Sequence, residues 1–325
     1  MAQPGTHTPM TGVADADVMA PAVAEGLRAL GAELRSRLSP EALAVVEALL
    51  AALPDWRLPG KFVNLGKRFG ETAARAAQRW PANVMADVNR LLVVELALRL
   101  GATMAERRIS ADVLALVPAA AARLLGHLRD AAGSSYVYPD DHFVKDLRFA
   151  AGLTLPGGAE VFDLRSRMGV PVSLGLLRRE PTATNFRAML GSGSIEPWFR
   201  IHTESRYLRH FHEAGWDAFY LCLASMLSAH PEVRGAIGTS WFFDPELDAI
   251  SPRLSYLRNP LARGAFLVRG KTGEFDIRSA TGNSDIRKRL HAEGRYMPVP
   301  YTLVWPRVAL LRWASTRKPT AAGPA

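Results

Sequence analysis

The stretch PWFRIHTESRYLRHFHEAGW, Pro197 to Trp216, holds three of the chain's eight histidines and two glutamates within twenty positions. Histidine changes charge near neutral pH, and a carboxylate can orient an imidazole or take a proton itself. Alternate residues of a strand share a face. Over a strand Trp198–Thr203, Phe199, Ile201 and Thr203 therefore point one way, with Arg200, His202 and Glu204 the other. The polar face runs on into Arg206, Arg209, His210, His212 and Glu213. The cluster thus lies beyond the strand's carboxyl end, where open α/β sheets bind ligands.

Three arrangements suit these residues. In the acid–base arrangement, His202 or Glu204 takes a proton from a bound substrate. Asp244, at the strand end in TSWFFDPEL, is then the second carboxylate. Arg200, Arg206, Arg209, His210 and His212 would hold an anionic ligand, since guanidinium suits phosphate and carboxylate. In the metal arrangement, His202 and Glu204 join His210 or His212 as a two-histidine, one-carboxylate set, although the spacing matches no zinc or iron motif. In the structural arrangement, His210 and His212 cap the next helix, Glu204 pairs with an arginine and Asp244 caps the helix after it.

Other chemistries lack their motifs. No G-x-S-x-G, H-E-x-x-H or G-x-G-x-x-G occurs. Gly270-Lys271-Thr272 would need a glycine at 265 to make a phosphate loop, and the glycine stands at 264. Cys222 sits beside a helix stripe with nothing near to activate it, so it reads as an inert thiol.

The elements that position these residues fall into two parts. Residues 1–15 are rich in proline, glycine and threonine and are expected to be disordered, as is the tail 316–325. From 16 to 134 the pattern is helical. SPEALAVVEALLAAL opens on Ser39 and Pro40, a cap and a first-turn proline. PANVMADVNRLLVVELALRLG reads as a helix from Pro81 to Gly101, with GATMAERRI a turn. A further helix from Ser110 is kinked or split at Pro118. This half reads as a helical bundle with a packing or protein-partner role rather than a catalytic one.

From 135 to 315 strands and helices alternate. Residues 161–165 and Val170–Glu180 read as two arms of a hairpin across Met168-Gly169, and Thr182–Leu190 as a short helix. HEAGWDAFYLCLASMLSAHP is the clearest helix, with Trp216, Phe219, Tyr220, Leu223, Met226 and Leu227 on one stripe. Strands follow in VRGAIGTSWFFDP, GAFLVRGKTG and VPYTLVWPRVALLRW, the last broken at Pro306, with a basic helix ending at Gly294 before it. The fold class is therefore α+β: a helical bundle followed by a mixed-sheet α/β domain.

The net charge of +9 lies mostly in the second part, where the balance from residue 135 onward is +7. That surplus suits an anionic small molecule. No arginine stripe interleaved with aromatics and no helix-turn-helix, RNA-binding or finger motif points to nucleic acid. No apolar run reaches the roughly 18 residues of a membrane span. One cysteine allows no internal disulfide, and the N-terminus lacks a secretory pattern, so a cytoplasmic location is expected.

The order of strand Trp198–Thr203, long helix, strand Gly235–Phe243, helix, strand and terminal strand resembles the C-terminal half of GNAT-type acyltransferases, over about residues 155–315. The resemblance implies an acyl-CoA co-substrate meeting the first of these strands, with its pyrophosphate at the loop into the helix. Here that loop is RYLRHFHEAG and lacks the family's glycine run.

Overall fold

The computed structural model describes residues 18–55, 65–131, 136–192, 195–206 and 208–317. The terminal segments expected to be disordered fall outside these residues, apart from 316–317. The helices of the first part are α1 (Pro21–Arg37), α2 (Pro40–Ala51), α3 (Lys67–Arg79), α4 (Ala82–Ala97), α5 (Leu100–Glu106), α6 (Ala111–Leu114), α7 (Val117–Asp130) and α8 (Asp141–Ala150). Ser39 caps α2 as its sequence requires, its hydroxyl accepting from Ala42 N at 3.3 Å. Around α4 the bundle closes on all sides, burying Val88, Leu91, Leu92, Val93, Val94 and Ala97. Two polar residues buried with them are satisfied: Asn89 donates to Tyr136 O and Arg90 to Leu128 O.

Two expectations need correction here. The helix from Pro81 stops at Ala97, not Gly101, and Gly101 lies inside α5, which occupies most of the expected turn GATMAERRI. Good helix formers in LGATMAE restart the helix after the two turn residues Leu98 and Arg99. Pro118 does split its helix, standing in the first turn of α7, where no N–H is needed. Helix α8 was not expected from the sequence: Asp140 caps it by accepting from Phe143 N at 3.0 Å. Residues 111–130 are apolar and long enough to cross a membrane by composition alone. They are divided between α6 and α7, and Val113, Val117, Ala121, Leu124 and Leu128 are buried in protein cores.

The second part contributes β1 (Thr154–Pro156), β2 (Val161–Ser166), α9 (Val170–Arg179), α10 (Ala183–Ser192), β3 (Trp198–His202), α11 (Glu213–Ala229) and β4 (Gly235–Ser240). After these come α12 (Leu247–Ile250), β5 (Phe266–Arg269), α13 (Glu274–Gly282), α14 (Asp285–Ala292), β6 (Tyr301–Pro306) and α15 (Arg307–Ser315), with 3-10 turns at Trp241–Phe243 and Pro252–Arg263. The six strands form one sheet in the order β1-β2-β3-β4-β6-β5. Only β3 and β4 run parallel, and α11 makes the crossover between them. The fold is α+β with a mixed sheet.

The expected hairpin arm Val170–Glu180 is instead helix α9. Val172 and Leu176, four residues apart, pack with Trp198, Ile237, Phe266 and Val304, which is a helical and not a two-residue period. Pro171 in the first turn suits the helix start. Likewise β6 ends at Pro306 and the chain continues as α15, burying Leu310 and Trp313.

The sheet has two unlike faces. Phe162, Phe199, Ile201, Ala236, Leu303 and Trp305 join Trp216, Phe219, Tyr220 and Leu223 of α11 in one core, which also receives Leu100, Met104, Val113 and Val117 from the helical part. The opposite face carries Asp163 directly across from Arg200, and Val161 across from His202.

Candidate functional site

His202 ends β3 on the polar face, and the carboxylate that meets it is Asp163 on β2, not Asp244 or Glu204. The ring nitrogen Nε2 lies 2.9 Å from Asp163 Oδ2. Asp163 is almost wholly buried yet surrounded by donors. Arg148 Nη2 is 2.9 Å from Oδ1, and Thr154 donates its hydroxyl to the same oxygen at 2.6 Å. Burial by itself would raise the Asp163 carboxyl. The charge of Arg148 and the hydrogen bonds from His202 and Thr154 outweigh it and hold the group far below the usual range.

An ionised carboxylate only accepts, so Nε2 of His202 carries the hydrogen and Nδ1 carries the lone pair. Burial lowers the imidazole's affinity for a second proton, and the cations Arg148 and Arg200 add to that effect against the pull of Asp163. The result is a neutral histidine of fixed tautomer with 13% of its side chain exposed. A neutral, oriented imidazole is the form that accepts a proton.

Helix α8 is what assembles this site. Its Arg148 reaches Asp163 and Thr154, its Asp146 receives Arg206, and its Lys145 pairs with Asp141. Arg206 donates to both oxygens of Glu204, at 3.0 and 2.9 Å, and to both oxygens of Asp146, at 3.2 and 2.8 Å. Tyr136 donates to Asp146 as well. Glu204 is therefore held ionised by Arg206 against its burial, as part of a clamp between the β3–α11 loop and α8.

The remaining expected residues divide clearly. Arg200 shares the face of His202 and donates to Arg167 O at 2.6 Å. Arg209 is exposed on the loop. His212 caps α11, its Nδ1 accepting from Gly215 N at 3.2 Å, and the His210 ring stands 6.3 Å from it. Asp244 is buried and accepts from Glu246 N and Val299 N, which ties two loops together. Among the described residues no three of histidine, cysteine, aspartate and glutamate converge as a metal would require. Cys222 is a quiet thiol, its burial pushing it up to about 11.

The sequence reading missed Asp163, Arg148 and Glu160. Asp163 did carry a signal, being a charge between Phe162 and Leu164 in a strand that has to pack. Glu160 is fully buried before β2. Its Oε2 accepts from Glu204 N at 3.0 Å and its Oε1 has no partner. Burial pushes this carboxyl well above its usual value. A carboxyl raised in the folded state holds its proton more tightly there than in the unfolded chain. Its contribution is intact below the ordinary value of 4.5 and is lost as pH rises through the folded value. Glu160→Gln keeps the acceptor for Glu204 N and removes the ionisation. Thermal melting should show the variant flatter than wild type between pH 5 and 9 and the more stable of the two at the alkaline end; parallel profiles would contradict this.

No protein-family model and no curated protein matches the sequence. A crystal structure of an acyltransferase in complex with decanoyl-CoA and teicoplanin is similar over 89% of this chain and 88% of that one, with a TM-score of 0.45 and 16% sequence identity.

Proposed function

We propose that the chain is an acyltransferase in which His202, oriented by Asp163, is the general base. The observation that carries this reading is the buried, ionised Asp163 holding a neutral imidazole at the carboxyl end of β3, beside the sheet's one parallel seam. In such a reaction the acceptor's O–H or N–H gives its proton to Nδ1 of His202 as the acceptor attacks a thioester carbonyl. The new acyl bond forms, the C–S bond breaks, and the proton passes on to the departing thiolate.

The strand order supports a GNAT-type arrangement, since β6 inserts antiparallel between β4 and β5 after a parallel β3–β4 pair. One departure bears on the donor. The start of α11 is occupied by the His212 cap and begins with Glu213, so it offers no cradle for a pyrophosphate. An anionic donor such as acyl-CoA would rely on arginines, of which Arg200 stands beside His202 and Arg209 is exposed on the loop; Arg206 is committed to Glu204 and Asp146.

The test is thermal melting with and without acetyl-CoA, followed by an acceptor screen. Acetyl-CoA at 100 times its Kd should add about 2.7 kcal/mol of stability. In any acyl transfer then found, His202→Gln should lower the rate by about 100- to 10,000-fold while leaving the fold intact. Absence of stabilisation by acetyl-CoA, or full activity in His202→Gln, would remove this reading.

A further inference from the structure

The sheet ends in β5, whose outer edge meets no strand among the described residues. Gly270 N donates to Pro300 O at 2.7 Å, continuing the register in which Val268 stands across from Thr302 and Phe266 across from Val304. In an antiparallel pair, residues that exchange hydrogen bonds alternate with residues whose backbone groups turn away. Phe266, Val268 and Gly270 therefore bond toward β6, and the N–H and C=O groups of Leu267 and Arg269 point outward. No hydrogen bond reaches these outward groups from the described residues.

Helix α9 runs beside this edge. Gly175 lets it come close, since a side-chain carbon there would stand 2.9 Å from Val268 Cγ2. Between helix and strand lies an open groove of about 470 Å³, lined by Gly175, Arg178 and Arg179 on one side and Phe266 to Arg269 on the other. The Arg179 guanidinium sits 5.0 Å from the centre of the Phe266 ring, which places its charge over the strand. Arg178 and Arg269 are exposed. No carboxylate lines the groove, and none of its three arginines makes an ion pair with the described residues. Charged side chains on an edge commonly keep like strands apart. Two β5 edges brought together would oppose arginine to arginine, so a second copy of this chain is disfavoured. The same charge selects an acidic strand.

We propose that β5 accepts an extended acidic segment of a partner protein as an additional strand of the sheet. The segment's backbone bonds to the outward groups of Leu267 and Arg269, which gives affinity for any extended chain. Its carboxylates on the α9 side meet Arg178 and Arg179, which gives the preference for acidic sequence. β5 lies three strands from β3, about 14 Å at the usual strand spacing, and the proposal does not depend on the reading of His202.

The experiment uses the full chain and a fluorescent hexapeptide of alternating glutamate and valine, with affinity read by anisotropy and amide hydrogen exchange read by NMR. The peptide should bind saturably and slow exchange at Leu267 and Arg269, whose amides are otherwise open to water. The same peptide with lysine in place of glutamate should not bind. Methylating one alternate set of the peptide's amide nitrogens should weaken it about tenfold or more, and methylating the other set should not, because only one set faces β5. The double variant Arg178→Gln, Arg179→Gln should weaken it about fivefold while the chain stays folded, as expected for exposed ion pairs. Absence of saturable binding, no slowing at Leu267 and Arg269, equal binding of the lysine peptide, or unaltered affinity in the double variant would each overturn the proposal. So would equal effects of the two methylated sets, which would mean adhesion of a polyanion rather than strand addition.

Discussion

Replacing Asp163 with alanine is expected to cost about 3–5 kcal/mol of stability, because it leaves the buried Arg148 guanidinium without its counter-charge. Thr154 and His202 lose an acceptor in the same step. Breaking such a pair costs far more than removing both partners, so Asp163→Ala combined with Arg148→Met should recover much of the loss. Urea denaturation of the single and double variants at pH 7 measures both. The pH dependence gives a second check. A carboxylate depressed in the folded state contributes stability above its unfolded value, here 3.8, and loses it as pH falls through the folded value. The gap between wild type and Asp163→Ala should therefore narrow in acid and stay open at neutral pH. His202 reports on the same change. Without Asp163 its imidazole loses the group that draws a proton to it and should titrate lower still, which NMR of the ring would show. If Asp163→Ala were as stable as wild type, Arg148 would have to be solvated, and the polar face would not be the closed site described.

How much of this was legible depended on whether the signal was local. The alternation WFRIH put His202 on the polar face of a strand, and the strand ends there. The capping role of His212 and the pairing of Glu204 with an arginine follow from residue type and position, and both are found. What could not be read was which carboxylate meets His202. Asp163 lies thirty-nine residues earlier and reaches it only through the β2–β3 pairing. Arg148 is more remote still, on helix α8, which the sequence pattern did not single out. Trp216 Nε1 and Tyr220 Oη, buried without a partner, belong to residues that read as an ordinary core stripe, because an indole or phenol counts as apolar until its nitrogen or oxygen is located. Helix α9 failed for a different reason. Its ten residues contain a proline, a glycine and two valines, and a short apolar run of that kind is ambiguous between strand and helix until the packing partner is known.

The glycine in HEAGW shows how firmly the loop after His202 is held. A side-chain carbon on Gly215 would stand 2.0 Å from the carbonyl oxygen of His210, because the loop doubles back over the first turn of α11. Alanine is the better helix former by about 1 kcal/mol. A backbone oxygen cannot swing aside as a flexible side chain would, so the loop or the helix must shift, and overpacking against backbone costs about 3 kcal/mol. The clash wins, and Gly215→Ala is expected to be destabilised by about 2 kcal/mol net. The shift would also draw His212 from its cap on Gly215 N and disturb the path between Glu204, Arg206 and Asp146. Gly126, inside α7 with nothing within 4 Å of the added carbon, is the matching control. There the same substitution should stabilise by about 0.4–1 kcal/mol. Urea denaturation of the two variants side by side should give opposite signs. Equal, small gains at both positions would mean that the loop does not lie across the helix start, and that the approach to His202 is wider than this structure makes it.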